Sequence, residues 1–193
     1  YHLIDYRIDG KYIIGKNGFK ETVKIEKESV KAVIYNREFY PFKKVEPDAY
    51  CIFPYEGANN DIIPFRELKE KYPLLAEYLL ANKKRIIEQV ECYQGDLWHR
   101  FTREHNHTLY DVDKIIIPMT ARDTIATFVN GKGLYMDNAN VWFITVNGAS
   151  TDLMKAITCI INSTIFTVLG KSGANPQSGG YYKFNKQFLM PIP

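Results

Sequence analysis

The sequence is short of cysteine, of long apolar runs and of net charge. It has three cysteines, Cys51, Cys92 and Cys159, and no C-x-x-C pair, so no disulfide framework is predicted. Each cysteine lies in an apolar or helical context, which predicts three buried thiols in a reducing compartment. No apolar run approaches the ~20 residues of a membrane span, and no signal peptide opens the chain, so we expect no membrane partner.

Charge is unevenly distributed, although the net charge is only +3. Residues 1–44 carry ten lysines and arginines against six acids, and residues 114–193 carry seven against three. Residues 45–82, in contrast, carry three against seven. Basic ends around an acidic middle fit a surface that meets an anionic partner. They fit a solvated surface with chance fluctuation equally well, so the charge pattern leaves both interpretations open.

The N-terminal quarter has the pattern of β-structure. Residues 11–14 and 19–25 flank a polar turn in which Asn17-Gly18 predicts a hairpin. Further strands are predicted at 32–35, 50–55, 114–118, 125–129, 133–136 and 141–146. Strands and helices do not alternate in a regular βαβ rhythm. The predicted fold class is therefore α+β, with mixed β-structure, a long central helix and a C-terminal helix.

Both helices are predicted from apolar residues that recur on one face. The central helix begins near Phe65 or Pro73 and runs to about Cys92. Its apolar face comprises Leu75, Leu79, Ile86, Val90 and Tyr93. The C-terminal helix runs over residues 153–169 behind a cap at Asp152. Its apolar face comprises Met154, Ile157, Ile161, Ile165 and Val168.

The first candidate binding cluster is aromatic and basic. The segment Trp98-His-Arg-Phe-Thr-Arg103 places Arg100 and Arg103 beside large rings. Guanidinium groups fork onto phosphate or onto the acceptors of guanine, which makes both arginines, together with Trp98, candidates for DNA contact. The alternative is a structural arginine held by a carboxylate such as Glu104 or Asp111, with Trp98 in the core.

The second candidate cluster lies near the C-terminus, where Gly170-Lys-Ser-Gly173 is followed by Gly179-Gly-Tyr-Tyr-Lys183. Glycines let the backbone approach phosphates closely. Lys171 and Lys183 supply positive charge for that contact. Tyr181 and Tyr182 can either stack or donate hydrogen bonds. The alternative is a flexible loop with surface lysines.

Isolated cations complete the set of candidates. Lys16, Lys20, Lys43 and Lys44 either rim the same groove or are solvated surface charges. Arg122 follows a predicted strand, at a usual place for a loop contact, and we expect it to contact DNA.

Several pieces of the chain, taken in order, resemble the TaqI-like C-terminal specificity domain of adenine-specific DNA methyltransferases. The matching pieces lie at 50–55, 72–79, 98–103, 114–118, 160–163 and 190–193. They make residues 50–193 the family-like part, and residues 1–49 a variable β part. The resemblance implies that residues 1–193 form a single target recognition domain. Because the chain begins at Tyr1, we expect a fragment of a larger protein.

The resemblance also implies DNA recognition without catalysis. In that family the catalytic domain carries an Asn-Pro-Pro-Tyr-type motif and a Gly-rich loop for S-adenosylmethionine, and neither is present here. Asn175-Pro-Gln-Ser178 is no substitute, because no aromatic residue follows to stack on a flipped base. We therefore expect no cofactor and no enzymatic activity in this fragment.

The parent is expected to be an adenine-specific DNA methyltransferase or a type II restriction enzyme. S-adenosylmethionine would be bound by its catalytic domain, which is absent from this chain. The expected partners are double-stranded DNA and that catalytic domain, and the expected location is the prokaryotic cytoplasm.

Two other functions compete with this interpretation. Pro47-Asp48 followed by Glu67-Leu-Lys69 imitates a Mg²⁺-dependent nuclease, in which both carboxylates converge on one metal ion. Residues 66–71, however, have the pattern of a helix or loop rather than of the strand that this chemistry uses. The third interpretation is a protein-interaction module that uses the aromatic surface. The spacing of His99, His105 and His107 matches no usual zinc motif.

Overall fold

The structure, a computed structural model, describes residues 1–35, 40–89, 95–101, 111–131, 134 and 141–189. The chain forms two compact units. Unit 1 comprises residues 1–35 and 47–110, and unit 2 comprises residues 36–46 and 111–193. Each unit combines helices with antiparallel strands, which confirms the predicted α+β class.

Unit 1 contains, within its described residues, a five-stranded antiparallel sheet of order β3-β2-β1-β5-β4. Its strands are β1 (His2–Asp9), β2 (Tyr12–Lys16), β3 (Thr22–Glu26), β4 (Val30–Val33) and β5 (Ala49–Ile52). A short hairpin of β6 (Tyr55–Glu56) and β7 (Asp61–Ile62) follows. Alternate residues of β2 and β3, including Ile13, Val23 and Ile25, are buried, as the two-residue period of a half-buried strand requires.

The β2–β3 hairpin is confirmed, but its turn is not the two-residue turn expected of Asn-Gly. The Asn17 side-chain oxygen accepts hydrogen bonds from the backbone N–H groups of Phe19 and Glu21, each at 3.0 Å. Lys20, rather than Gly18, takes a positive φ of 63°. Because one asparagine side chain satisfies the loop's donors, a longer loop replaces the tight turn.

The prediction of one long central helix is wrong. Three shorter helices occupy this region: α1 (Phe65–Lys71), α2 (Pro73–Ala81) and α3 (Lys83–Gln89). Proline lacks an N–H group and displaces the preceding residue from the helical region, so Tyr72 has φ −133° and ψ 72°. The chain breaks again at Asn82, which has φ −103° and ψ 5°.

The apolar face predicted for that helix is found in part. Leu75 and Leu79 of α2 are fully buried against the sheet, and Ile86 of α3 is half-buried. Val90 and Tyr93 lie outside the described residues. The core of unit 1 therefore packs α2, together with the buried Leu68 of α1, against the inner face of the sheet.

A carboxylate from the sheet fixes the start of α2. Glu26 of β3 accepts hydrogen bonds from the backbone N–H groups of Leu74 and Leu75, each at 3.0 Å. These donors have no partner inside the helix, and a negative charge at this end also complements the helix dipole. A residue distant in sequence thus caps the helix.

Unit 2 contains two three-stranded antiparallel sheets among its described residues, of order β10-β8-β11 and β12-β13-β9. The strands are β8 (Lys114–Pro118), β9 (Thr120–Ala121), β10 (Thr127–Val129), β11 (Val141–Ile144), β12 (Asn175–Pro176) and β13 (Tyr182–Lys183). The helices are α4 (Thr151–Ile161), α5 (Thr164–Gly173) and α6 (Lys186–Leu189). The strand predicted at 114–118 is confirmed, whereas the one predicted at 133–136 falls largely outside the described residues.

The prediction of one continuous C-terminal helix is also wrong, since α4 and α5 are bent by 66°. Asn162 is held at the break by two hydrogen bonds of 2.8 Å, one from the Ala126 N–H and one to the Ala126 carbonyl oxygen. The Ser163 side chain then accepts from the Phe166 N–H at 3.1 Å and caps α5. The residue that caps α4 is Ser150 rather than Asp152.

The bend changes which apolar residues are buried. Met154 and Ile161 are buried in the core of unit 2, but Ile165 is 74% exposed and Val168 is 62% exposed. Among the described residues no single helix is long and apolar enough to cross a membrane, although α4 and α5 reach that length and composition together across their bend.

The prediction of three buried thiols holds for one residue. Cys51 is buried in β5. Cys159 is exposed on α4 because its position follows the buried Thr158 and turns away from the core. Cys92 lies outside the described residues.

Candidate nucleic-acid interface

Unit 2 presents an exposed hairpin between β12 and β13 whose tip is rich in glycine. The Gln177 N–H donates to the Tyr181 carbonyl oxygen at 2.7 Å and closes the tip. Gly179 and Gly180 have φ values of 72° and 76°, a region where other residues are strained. All residues from Gln177 to Tyr181 are exposed. The tip therefore leaves its backbone open to a ligand.

Arg122 lies beside this hairpin because β9 pairs with β13. The register sets Ala121 opposite Tyr182, and Arg122 directly follows β9. Its guanidinium carbon is 5.3 Å from the ring centroid of Tyr181, and both side chains are exposed. A cation over a ring face is attracted by the ring quadrupole, so this contact orients the guanidinium without neutralising it.

Lys171 reaches the same place from α5. Its Nζ lies 2.7 Å from Oδ1 of Asp123 and 5.3 Å from the ring centroid of Tyr182. The helix approaches closely because Gly170 has no side chain: a Cβ there would lie 3.2 Å from Cγ2 of Thr124. The approach of α5 thus brings a second cation, Lys171, to a second ring of the hairpin, Tyr182.

Lys183 completes the group from within β13. It pairs with Thr120 in the antiparallel ladder and is half-buried. The next residue, Phe184, is fully buried and donates its N–H to the Met119 carbonyl oxygen at 2.8 Å. This buried anchor fixes the strand that carries the lysine.

The structure therefore brings together the predicted residues of unit 2, which we call the hairpin cluster: Arg122, Lys171, Tyr181, Tyr182 and Lys183. Three cations and two rings at an open glycine turn are suited chemically to phosphate binding with stacking on bases. Sequence reasoning missed Asp123, the acid inside this cluster. Its signal was a lone carboxylate beside Arg122 in a segment with few acids.

Trp98 lies in the core of unit 1. It is 4% exposed, and its ring centroid is 5.1 Å from that of Phe65. The Lys83 ammonium lies 5.0 Å from the Trp98 ring. The core alternative left open by the sequence describes this tryptophan, because a side chain so buried has no surface on which a base could stack.

The arginines near Trp98 are only partly described. Arg100 is half-buried, and its backbone N–H donates to the Leu97 carbonyl oxygen at 3.1 Å. Arg103 lies outside the described residues, as do Glu104, His105 and His107. DNA contact by Arg100 and Arg103 therefore stays a prediction.

The remaining candidate lysines lie in separate parts of the two units. In unit 1, Lys16 pairs with Asp5 at 3.3 Å, and exposed Lys20 lies in the β2–β3 loop. In unit 2, Lys44 pairs with Glu46 at 2.6 Å, and the Lys43 ammonium lies 5.2 Å from the Tyr40 ring centroid.

The residues of the nuclease alternative stand on different elements of unit 1. Asp48 precedes β5 and accepts a hydrogen bond from the Tyr35 N–H at 2.5 Å. Glu67 and Lys69 lie on helix α1, not on a strand. Within the described part of the chain, no group of three or more His, Cys, Asp or Glu residues is placed to hold a metal ion.

Comparison with known proteins relates the chain to one kind of enzyme. No protein-family model matches it. It is 33% identical over 110 residues to the type II restriction enzyme and methyltransferase RM.Eco57I of Escherichia coli, a match that covers 49% of this chain. The match spans 11% of that relative's length. The chain is related to a restriction-modification enzyme.

Proposed function

We propose that this chain is the DNA target recognition domain of a restriction-modification protein, of the TaqI-like specificity type. The observation that carries the proposal is the hairpin cluster, in which Arg122 lies over the Tyr181 ring, Lys171 lies near the Tyr182 ring and Lys183 is part of strand β13 beside an open glycine turn. Because the chain is related to a restriction-modification enzyme, the anion that this cluster would bind is duplex DNA.

Some residues of the cluster would contact the DNA phosphates, and others would contact base edges. Lysines act as point charges on phosphates and hold the domain in register, a contact that carries no sequence information. Arg122 is oriented by Tyr181 and exposed, so its guanidinium is free to fork onto a phosphate of any duplex or, at a recognised site, onto the O6 and N7 acceptors of guanine. The glycine tip allows the backbone to approach the groove closely.

Catalysis belongs elsewhere in this proposal. The parent would be an adenine-specific methyltransferase or a type II restriction enzyme of the prokaryotic cytoplasm. Its catalytic domain would bind S-adenosylmethionine, flip the adenine and transfer the methyl group. The fragment described here would bind no cofactor and would act by placing that domain on its site.

The test is the salt dependence of binding to random duplex DNA. Arg122→Gln and Lys183→Gln are each compared with Lys155→Gln, an exposed lysine on α4 outside the cluster. We expect log K to fall linearly with log salt, with a slope reduced by about 0.9 in each cluster variant and unchanged in the control. A flat line for the unsubstituted chain, or equal slopes for all three variants, would contradict the proposal.

A second candidate, a protein-interaction module, is favoured by the exposed apolar residues of α4 and α5. Ile160 of α4 and Ile165 and Val168 of α5 are 59%, 74% and 62% exposed, and exposed apolar residues grouped on two successive helices favour a protein contact. The partner would be another part of the same enzyme, since the match to the relative leaves 89% of that enzyme's length outside it. Salt-insensitive binding to the parent's catalytic domain, lost in Ile165→Lys, together with no binding to DNA, would favour this function over the first.

A further inference from the structure

An acid sits among the cations of the hairpin cluster. Asp123 Oδ1 lies 2.7 Å from the Lys171 Nζ, a distance typical of a charge-assisted hydrogen bond. The Asp123 side chain is 63% exposed and that of Lys171 is 32% exposed. The carboxylate is therefore at the surface, where an approaching phosphate meets it.

The lysine is held from two sides. Its Nζ bonds Asp123 and also lies 5.3 Å from the Tyr182 ring centroid. Tyr182 is itself positioned by the pairing of β13 with β9. The Asp123 carboxylate occupies one of the three N–H donors of this ammonium and offsets its charge, so a phosphate that uses Lys171 competes with the carboxylate.

We propose that Asp123 lowers the affinity of the hairpin cluster for DNA, because its ion pair with Lys171 competes with a backbone phosphate for that ammonium. This inference rests on the proposed function of the hairpin cluster. The competition is independent of base sequence, so random duplex DNA reports it as fully as a recognised site does.

The experiment removes the charge of Asp123 and keeps its shape. Exposed ion pairs are weak, so for Asp123→Asn we expect affinity for random duplex DNA at low salt to rise about two- to fivefold. The freed lysine adds one phosphate contact, which steepens the slope of log K against log salt by about 0.9. Unchanged thermal unfolding would show that the fold is intact.

Glu56→Gln is the matched control. Glu56 of unit 1 forms an exposed ion pair with Lys71, a lysine outside the candidate DNA-binding residues, and its substitution changes the net charge by the same amount. We expect its affinity and its slope to stay within error of the unsubstituted chain. Equal gains in Asp123→Asn and Glu56→Gln would mean that total charge alone sets binding, which overturns the inference.

A second variant separates the two ways in which the carboxylate can act. In a Lys171→Gln background, Asp123→Asn should no longer raise affinity, because the lysine that it would release is gone. A gain of the same size in that background would show that Asp123 repels phosphate directly, and the inference would fall.

The proposed function fails in a different way. If Arg122→Gln weakens DNA binding but Asp123→Asn does not strengthen it, the DNA interface stands and the role of Asp123 is wrong. If the unsubstituted chain and every variant bind no DNA at low salt, both proposals fall together.

Discussion

The two units use the same combination, a lysine or arginine against an aromatic ring, for different purposes. In unit 1 the Lys83 ammonium lies over Trp98, a ring that is 4% exposed. In unit 2 the Arg122 guanidinium lies over Tyr181, a ring that is 41% exposed. The pairs are alike in chemistry and in distance, 5.0 Å and 5.3 Å, and they differ in what surrounds the ring.

Burial of the aromatic ring therefore decides whether a cation–ring pair belongs to the core or to an accessible surface. The Trp98 ring packs against Phe65 in the core, and the lysine covers its remaining face. Tyr181 ends a hairpin tip whose residues are all exposed, so its ring and the cation over it stay open to solvent. Sequence proximity of rings and cations thus identifies two candidates, and packing selects the one that has a usable surface.

The largest expected contrast comes from truncating the two rings. Trp98→Ala removes a buried aromatic side chain and should destabilise unit 1 by about 3–5 kcal/mol through lost burial and a cavity. Tyr181→Ala removes an exposed ring and should change stability by no more than about 0.5 kcal/mol. Hydrogen exchange, followed separately in each unit by mass spectrometry, measures both.

The effects of Trp98→Ala and Tyr181→Ala on DNA affinity should rank in the opposite order to their effects on stability. Tyr181→Ala should weaken binding without unfolding the chain. If Trp98→Ala proved as mild as Tyr181→Ala in stability, the tryptophan would not be a core residue and the contrast between the units would break.

A smaller effect is expected from the cap that joins sheet and helix in unit 1. Glu26→Gln keeps the shape of the side chain but removes the charge that faces the α2 N-terminus, and we expect a loss of about 1–2 kcal/mol. Glu28→Gln, an exposed neighbour, is the control and should stay within about 0.5 kcal/mol. Urea unfolding followed by circular dichroism distinguishes them, and equal midpoints would mean that the carboxylate charge does not stabilise α2.

Periodicity predicted elements better than it predicted their ends. The strand at 114–118 and the β2–β3 hairpin follow from local pattern, because alternation and a turn signal are properties of neighbouring residues. The break at Asn162 does not, since its cause is a pair of hydrogen bonds to Ala126, 36 residues away. Ile165 and Val168 were consequently assigned to a buried face that the bend turns outward.

Charge placement was the least predictable property. Lys114 begins a predicted strand, and the structure buries it fully, which lowers its pKa to about 8 against the opposing effects of Asp111 and Asp113. Nothing local marks that lysine as different from Lys171, which lies at the surface of the hairpin cluster. The composition of that cluster was predictable, whereas its convergence depends on the β9–β13 pairing, which joins residues about 60 apart in sequence.

The smallest expected effect is a pH dependence that belongs to unit 1. His99 is fully buried, and its Nε2–H donates to the Ile63 carbonyl oxygen at 2.9 Å. Burial holds the pKa of His99 below its usual 6.5, although the carbonyl acts in the opposite direction. The native state therefore keeps the ring neutral, while the unfolded chain binds a proton as pH falls through about 6.5.

Since the unfolded state binds more protons in that range, unfolding becomes easier as the pH is lowered from about 7 to 5. Unfolding of unit 1 by urea, measured at several pH values, should show this loss of stability. His99→Gln removes the titrating ring and should flatten the pH dependence, even if it lowers stability at neutral pH. His2→Gln, in β1 of the same unit, is the control for the loss of one histidine. If both substitutions flatten the pH dependence equally, the total histidine content rather than the buried His99 ring is its cause. The packed aromatic cluster of unit 1 would then lose one of the features that distinguish it from the open hairpin cluster of unit 2.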